Sequence, residues 1–246
     1  MASILCLETS TEVCSVALSV NGIVAEVRED KSGKNHAQLL AGFVEEVMKS
    51  QNLPFNKLDA IAVSGGPGSY TGLRIGVSTA KGLCYAAGLP LIAIPSLYAM
   101  AHNIVNNQMD LGFKKEDHIY FCPMIDARRM EVYAAMYDDH MNSVRGIQAD
   151  IIDHLSFAPY LSDHKILFFG NGADKCKSTI QHPNAFFLEN VITSARFMAK
   201  PADDAFQSDN FVDVAYYEPF YLKDFVATIP TKNIFHSNFD SNPTKE

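Results

Sequence analysis

The chain has 246 residues, 48% hydrophobic and 20% charged, and its 28 acidic and 20 basic side chains give a formal charge of −8. This composition belongs to one large or two small folded domains rather than a disordered chain, and an acidic balance without a lysine–arginine cluster opposes stand-alone nucleic-acid binding. The longest apolar run, Leu89 to Pro95, is far short of the ~20 residues that span a bilayer, and the five cysteines lack CxxC spacing, as expected of reduced, buried thiols in a cytoplasm.

The first segment, Ser3 to Leu7, is a short apolar run that ends in Glu8-Thr9-Ser10-Thr11. Glu8 and Glu12 interrupt the apolar start and no basic segment precedes it, so a signal peptide is not expected. From Val13 to Val20 the residues alternate, with Cys14, Val16, Leu18 and Val20 the more apolar set, which predicts a half-buried strand. Asn21-Gly22 then signals a hairpin, and Ile23 to Arg28 returns as a third strand. A helix is predicted from His36 to Gln51, with Asn35 as its cap and a broad stripe of Leu39, Leu40, Phe43, Val44, Val47 and Met48. Leu58 to Val63 reads as a short buried strand.

The strand leads into Ser64-Gly65-Gly66-Pro67-Gly68-Ser69-Tyr70-Thr71-Gly72-Leu73-Arg74 and a second helix to Ala87. Gly72, Gly76, Ala80 and Cys84 give this helix a small-residue face that admits a close neighbour. Leu91 to Ile94 is a further strand, and Ser96 to Asn107 is helical. The order β-β-β-α-β-α-β predicts a mixed α/β layer. The polar stretch Gln108 to Asp117 reads as a linker. Beyond it, strands Ile119 to Ile125 and Glu131 to Tyr137 flank Asp126-Ala127-Arg128-Arg129, and Ile166 to Phe169 ends at Gly170-Asn171-Gly172. Thr193 to Lys200 is read as a short helix, and the tail from Lys232 as flexible. The expected division is a first lobe over 1–107, a second and smaller lobe over 108–230 whose last helix packs back on the first, and a tail over 231–246.

Three places could carry chemistry. Glu8 at a strand end, followed by hydroxyls including Ser10, could meet a metal-bound phosphate; turn chemistry accounts for the same residues. The loop with Gly65, Gly66 and Gly68 feeds a helix N-terminus, where amides and dipole favour an anion, although it is neither a Walker A loop nor a GxGxxG fingerprint. A tight strand-to-helix connection is the competing reading. Asp126 echoes Glu8 as an acid at a strand end, and the two together could hold Mg²⁺; an ordinary hairpin residue accounts for Asp126 as well. Gly170 and Gly172 would let a strand end approach a flat ring; equally, the segment reads as an ordinary turn. The eight histidines show no metal-binding spacing, and no Gly-x-Ser-x-Gly elbow occurs.

Ile4-Leu5-Cys6-Leu7-Glu8-Thr9-Ser10, His36-Ala37-Gln38, the long glycine loop through Gly76, and Ala80-Lys81-Gly82 resemble the TsaB (YeaZ) family. The likeness is dense over residues 1–100 and thinner through Asp126-Ala127-Arg128-Arg129-Met130-Glu131-Val132-Tyr133, Gly170-Asn171-Gly172-Ala173 and Glu218-Pro219-Phe220-Tyr221-Leu222-Lys223-Asp224. The resemblance implies an actin-like ASKHA fold of two lobes, each with a mixed sheet covered by helices. It implies a non-catalytic, dimerising scaffold subunit that supports a TsaD-like transferase making threonylcarbamoyladenosine on tRNA. A TsaE-like ATPase joins them, tRNA is met only through the complex, and the chain pairs with itself in isolation. TsaD-like proteins carry a His-x-x-x-His pair after the Gly-x-Pro-Leu-Ile strand. The matching positions here are Ser96 and Met100, and a hydroxyl with a thioether cannot replace two imidazoles at a metal.

The same resemblance implies a partner face on the two helices, expected to include His36, Leu39, Leu40, Phe43, Val47, Tyr70, Arg74, Gly76 and Ala80. No cofactor is expected to be required. Weak ATP or ADP binding at Glu8, Ser10, Gly66, Gly68, Asp126, Gly170 and Gly172 is the associated expectation. The alternative is an ATP-dependent phosphotransferase or hydrolase of the actin-like fold, or a degenerate M22-type peptidase, acting in its own cleft. Glu8 stands where actin-like ATPases have Asp, and Thr9-Ser10 replaces a glycine-containing turn, which counts against tight ATP binding.

Overall fold

Strand β1 (Ser3–Glu8) is the centre of a five-stranded sheet. It pairs antiparallel with β2 (Cys14–Val20), which pairs antiparallel with β3 (Ile23–Asp30); on its other side lie the parallel strands β4 (Ala60–Ser64) and β5 (Leu91–Ile94). Helices α1 (His36–Ser50) and α2 (Tyr70–Ala87) make the crossovers, and α3 (Ser96–Asn106) follows β5. The computed structural model describes residues 2–33, 35–106, 113 and 118–223; the expected linker at 108–117 lies almost wholly, and the expected tail at 231–246 wholly, outside the described residues.

The second sheet repeats the plan. β6 (Ile119–Asp126) is central, β7 (Glu131–Tyr137) and β8 (Ser143–Ile151) extend it antiparallel, and β9 (Lys165–Phe169) and β10 (Ala185–Leu188) extend it parallel. The order from edge to edge is the same in both sheets, so Glu8 and Asp126 close equivalent strands. The crossovers are not the same. In the second sheet they shrink to α4 (Ala158–Leu161) and a single 3₁₀ turn at Asp174–Cys176.

Apart from its edge strand β3, the first sheet is buried on both faces, and its sequence sorts residues by size. Leu5, Leu7, Val16, Leu18, Ile61 and Val63 face α1 and α2, whereas Ile4, Cys6, Ala17, Ala60 and Ala62 face the chain's last helix, α5 (Ala199–Gln207), and the 3₁₀ turn Ala195–Met198 before it. Small residues on that side let the returning segment approach closely. The expectation that β2 is half-buried is corrected here. Ser15 and Ser19 are fully buried, because Ser15 Oγ accepts from Ala195 N at 3.0 Å and Ser19 Oγ donates to Ala199 O at 3.4 Å. The expected short helix at Thr193–Lys200 is the 3₁₀ turn and the start of α5.

Helix α3 falls inside the first 107 residues, yet its apolar face covers the second sheet: Leu97, Met100, Ala101 and Ile104 pack with Phe121, Ile125, Leu167 and Phe169. Each lobe therefore lends a helix to the other. All five cysteines are free and buried. Burial pushes the Cys6 thiol up to about 12 and the Cys14 thiol up to about 11, so neither is a thiolate nucleophile at neutral pH.

Candidate functional site

The turn after β1 and the glycine loop after β4 meet, and they meet without a gap. Thr9 is fully buried under the first turns of α2, where its Oγ1 donates to Gly72 O at 2.8 Å. A methyl group on Gly72 would lie 2.1 Å from Thr9 O, on Gly76 2.3 Å from Thr9 Oγ1, and on Gly68 2.2 Å from Ser10 O. These glycines thus make room for the β1 turn. The N-terminus of α2 is capped from within: Ser69 N donates to Ser10 O at 2.6 Å and Gly72 N to Ser69 Oγ at 3.3 Å. Protein acceptors thus take two of the donors that an anion would use at this helix N-terminus.

A strap of chain closes the loop from its other side. Phe220 N donates to Gly65 O at 2.8 Å, and Ser96 N donates to Gly66 O at 2.8 Å. A methyl group on Gly66, whose φ is +102°, would lie 2.6 Å from Phe220 O, so only glycine fits both the backbone angle and the space. Lys81 Nζ anchors the strap by donating to Ala215 O at 3.0 Å and Tyr217 O at 3.1 Å. Periodicity did not single out this strap; the only signal for it was the Glu218-to-Asp224 match.

Glu8 is enclosed, at 1% exposure, and Ser10 N donates to its Oε1 at 2.5 Å. Burial dominates and pushes its carboxyl above the ordinary range, against the opposing pull of the Ser10 backbone amide. Ser10 and Ser96 each bury a hydroxyl oxygen that has no partner among the described residues. Asp126 is different: it is exposed and ion-paired to Lys175, and its Oδ1 accepts from Arg128 N at 2.8 Å. The two acids that could have shared Mg²⁺ are therefore each engaged by the protein itself. Among the described residues no three His, Cys, Asp or Glu side chains converge on a metal position.

The second glycine loop occupies the place that the first holds in its own sheet. A methyl group on Gly170, φ +104°, would lie 2.3 Å from Met124 O and 2.6 Å from Met100 Cε; one on Gly172 would lie 2.8 Å from Ile125 C. Gly170 and Gly172 thus press on the central strand and on α3. Met100 is buried there, and Ser96 lies one turn before it on the same helix. The donor set at these two positions does not fit a metal. Between the lobes, Asn171 links both acids' neighbourhoods: its Oδ1 accepts from Asp126 N at 3.1 Å, and its Nδ2 donates to Glu12 Oε2 at 2.9 Å. Thr11 and Thr193 share a hydrogen bond of 2.6 Å nearby. Neither Glu12 nor Thr193 stood out in the sequence.

The residues expected on a partner face divide by burial. Leu40, Val47 and Ala80 are in the core between α1, α2 and the first sheet, and Gly76 is closed against Thr9. Their assignment to an outer face is corrected: a helix that covers a sheet turns its most apolar positions inward. Leu39 and Phe43 pack on the rim of that core and stay half-exposed. His36 is half-buried, with Nε2 3.2 Å from Val13 O. Arg74 is exposed, lies 5.4 Å from the Tyr70 ring centroid and donates to Tyr70 Oη at 3.2 Å; the Tyr70 ring packs on Tyr221 at 4.8 Å. With Lys81 and Tyr217 these side chains line a surface cavity of about 390 Å³. Among the described residues no helix is long and apolar enough to cross a membrane.

A family model described as TsaD, tRNA N6-adenosine threonylcarbamoyltransferase, matches residues 21–231. The protein named tRNA threonylcarbamoyladenosine biosynthesis protein TsaB in Haemophilus influenzae is 37% identical over 131 residues, 53% of this chain and 52% of that one. Its namesake in Escherichia coli is 33% identical over 57% of each chain. These matches span little more than half of either relative, whereas the Bacillus subtilis TsaB aligns at 28% identity over 90% of this chain and 94% of its own. The solved structure of YeaZ from Pseudomonas aeruginosa superposes with a TM-score of 0.75 at 27% identity, over 90% of this chain and all of that one. A second Pseudomonas aeruginosa structure, described as an uncharacterized protein with similarity to peptidase YEAZ, gives 0.77 at 26% identity, over 91% and 100%. With two five-stranded sheets of one plan and these matches, the chain belongs to the TsaB (YeaZ) family, within the wider family that the TsaD model describes.

Proposed function

We propose that this chain is a supporting, non-catalytic subunit in the cytoplasmic machinery that makes threonylcarbamoyladenosine on tRNA, where it binds a TsaD-like transferase. The observation that carries this reading is the seal at Gly68, Gly72 and Gly76. The glycine loop, one of the candidate anion cradles, is packed against Thr9 and Ser10 of the chain itself. Ser96 and Met100 at the position of the transferase's histidine pair support it further, since they are poor metal donors. In this reading the chain requires no cofactor, ATP or ADP binds weakly if at all, and a TsaE-like ATPase and tRNA join through the complex. The partner face, used also for pairing with a second copy, comprises the accessible members of the expected set: His36, Leu39, Phe43, Tyr70 and Arg74.

Phosphotransfer in the chain's own cleft is the second reading, and Glu8 is its one support: a buried carboxyl with a raised pKa is a common mark of an active site. The test is threonylcarbamoyl transfer to unmodified tRNA with TsaD-like and TsaE-like proteins and threonylcarbamoyl-adenylate supplied. The expected result is transfer that needs this chain and TsaD together, with none from this chain alone. Full transfer without the chain, or turnover by it alone that Glu8→Gln abolishes, would replace the scaffold reading with the second.

A further inference from the structure

The turn between β6 and β7 holds two arginines in a conformation that their residue type disfavours. Arg128 and Arg129 sit at φ +72° and +50°, the left-handed region that a Cβ penalises and that Asn-Gly pairs fill in tight hairpins. The turn is nevertheless tightly fixed. Asp126 Oδ1 accepts from Arg128 N at 2.8 Å; Lys175 Nζ donates to Arg129 O at 2.6 Å and Glu131 O at 2.7 Å and also pairs with the Asp126 carboxylate. Lys223 pairs with Glu131. The two carboxylates of the turn itself, Asp126 and Glu131, are thus each paired with a lysine, while Glu12 across the lobes is held by the Asn171 amide. Neither guanidinium has a hydrogen-bond or ion-pair partner among the described residues, and both residues are exposed. Strain held in place by several bonds marks a segment kept for something other than stability.

We infer that Arg128 and Arg129 form a phosphate-binding prong for the backbone of a structured RNA. Guanidinium forks match phosphate oxygens in a plane, and an adjacent pair can engage successive phosphates. The formal charge of −8 does not cancel this. Charges farther away than the Debye length, about 8 Å in physiological salt, are largely screened, so the local excess decides. The prong lies beside the Asp126–Asn171–Glu12 contact between the lobes, on an open turn that a larger partner can reach. The choice of RNA over a free nucleotide rests on the proposed role above; the phosphate chemistry does not.

Labelled, unmodified tRNA is titrated against the chain alone and against the chain assembled with its TsaD-like and TsaE-like partners, over a salt series, with inorganic phosphate and ATP as competitors. R128A/R129A is expected to weaken tRNA binding roughly tenfold and to flatten the slope of log affinity against log salt by about one to two. R128K/R129K should keep the slope and lose part of the affinity. R128N/R129G, which suits the turn better, should melt higher and still lose the binding, which separates the contact from the fold. Unchanged affinity and slope in R128N/R129G would overturn the inference. So would a loss of ATP binding alone, which would make the ligand a nucleotide, or a loss of partner assembly with the tRNA slope intact, which would make it an acidic protein surface. A chain dispensable for transfer would sink the scaffold role, while an arginine-dependent salt slope for the chain alone would still uphold the prong.

Discussion

The two lobes share one sheet plan and differ in what surrounds it. Both place an acid at the end of the central strand and a glycine loop against that end. In the first lobe the crossovers are long helices, and the acid, Glu8, is sealed under them. In the second the crossovers are turns, and the acid, Asp126, is exposed and held by Lys175. Sheet topology is thus the repeated part, and the covering elements decide whether the same position is core or surface. The first lobe's glycines serve close packing of its own turn; the second lobe's turn carries arginines with no side-chain partner among the described residues.

The comparison breaks most visibly at the glycines. Gly68→Ala and Gly170→Ala each place a methyl group within 2.3 Å of a backbone oxygen, so each should lower stability by about 3 kcal/mol or more. Gly82→Ala on α2, with nothing within 4 Å, should raise it by about 0.5–1 kcal/mol. Urea denaturation measures all three. A Gly68→Ala variant of wild-type stability would mean that the loop opens readily and that a phosphate cradle is back in play.

The next contrast lies along α1. Leu40→Ala should cost about 2–5 kcal/mol and change partner affinity only through the fraction folded. Phe43→Ala, on the rim, should cost the fold less and weaken association with the transferase or a second copy. Val47 is fully buried, so Val47→Ala belongs with Leu40. Partner titration on folded protein distinguishes the two classes, and equal association losses for Leu40→Ala and Phe43→Ala would erase the distinction.

The acids differ in their pH response. Glu8 has a folded pKa above its ordinary value of 4.5, so the folded state binds the proton more tightly than the unfolded state. Its contribution is complete below about pH 4.5 and is lost as pH rises through the folded pKa. Glu8→Gln should remove that decline, seen as a flatter plot of unfolding free energy against pH from 4.5 upward; an unchanged slope would mean that Glu8 is solvated. A modest loss is expected at the exposed counterpart. Lys175→Met should cost roughly 1–2 kcal/mol, because three acceptors lose a donor that is only partly screened, and it should loosen the Arg128–Arg129 turn in amide exchange.

Much of the chain could be read directly. The helix expected at His36 to Gln51 is α1 (His36–Ser50), and the strands expected at Leu91 to Ile94 and Glu131 to Tyr137 match β5 and β7. Each has strong periodicity or clear punctuation by Gly and Pro. β8 and β10 were not legible. β8 alternates weakly at a sheet edge, with Arg145 and Asp150 paired along it, and β10 has only four residues. The site residues were legible as a set, through the family likeness and the glycine loop, but their roles were not. Ser15 and Ser19 looked like a solvent face until the returning chain at Ala195 and Ala199 supplied their hydrogen bonds.

The sequence by itself determined the local elements, the strand-end acids, the glycine loops and the family, because propensity, spacing and turn chemistry act over a few residues. The tertiary structure alone decided which glycines touch protein, which apolar residues of α1 and α2 remain accessible, and which acid is buried. Those outcomes depend on segments more than 50 residues apart, such as Thr9 against Gly72 and Asn171 against Glu12, and no local pattern encodes a contact of that range.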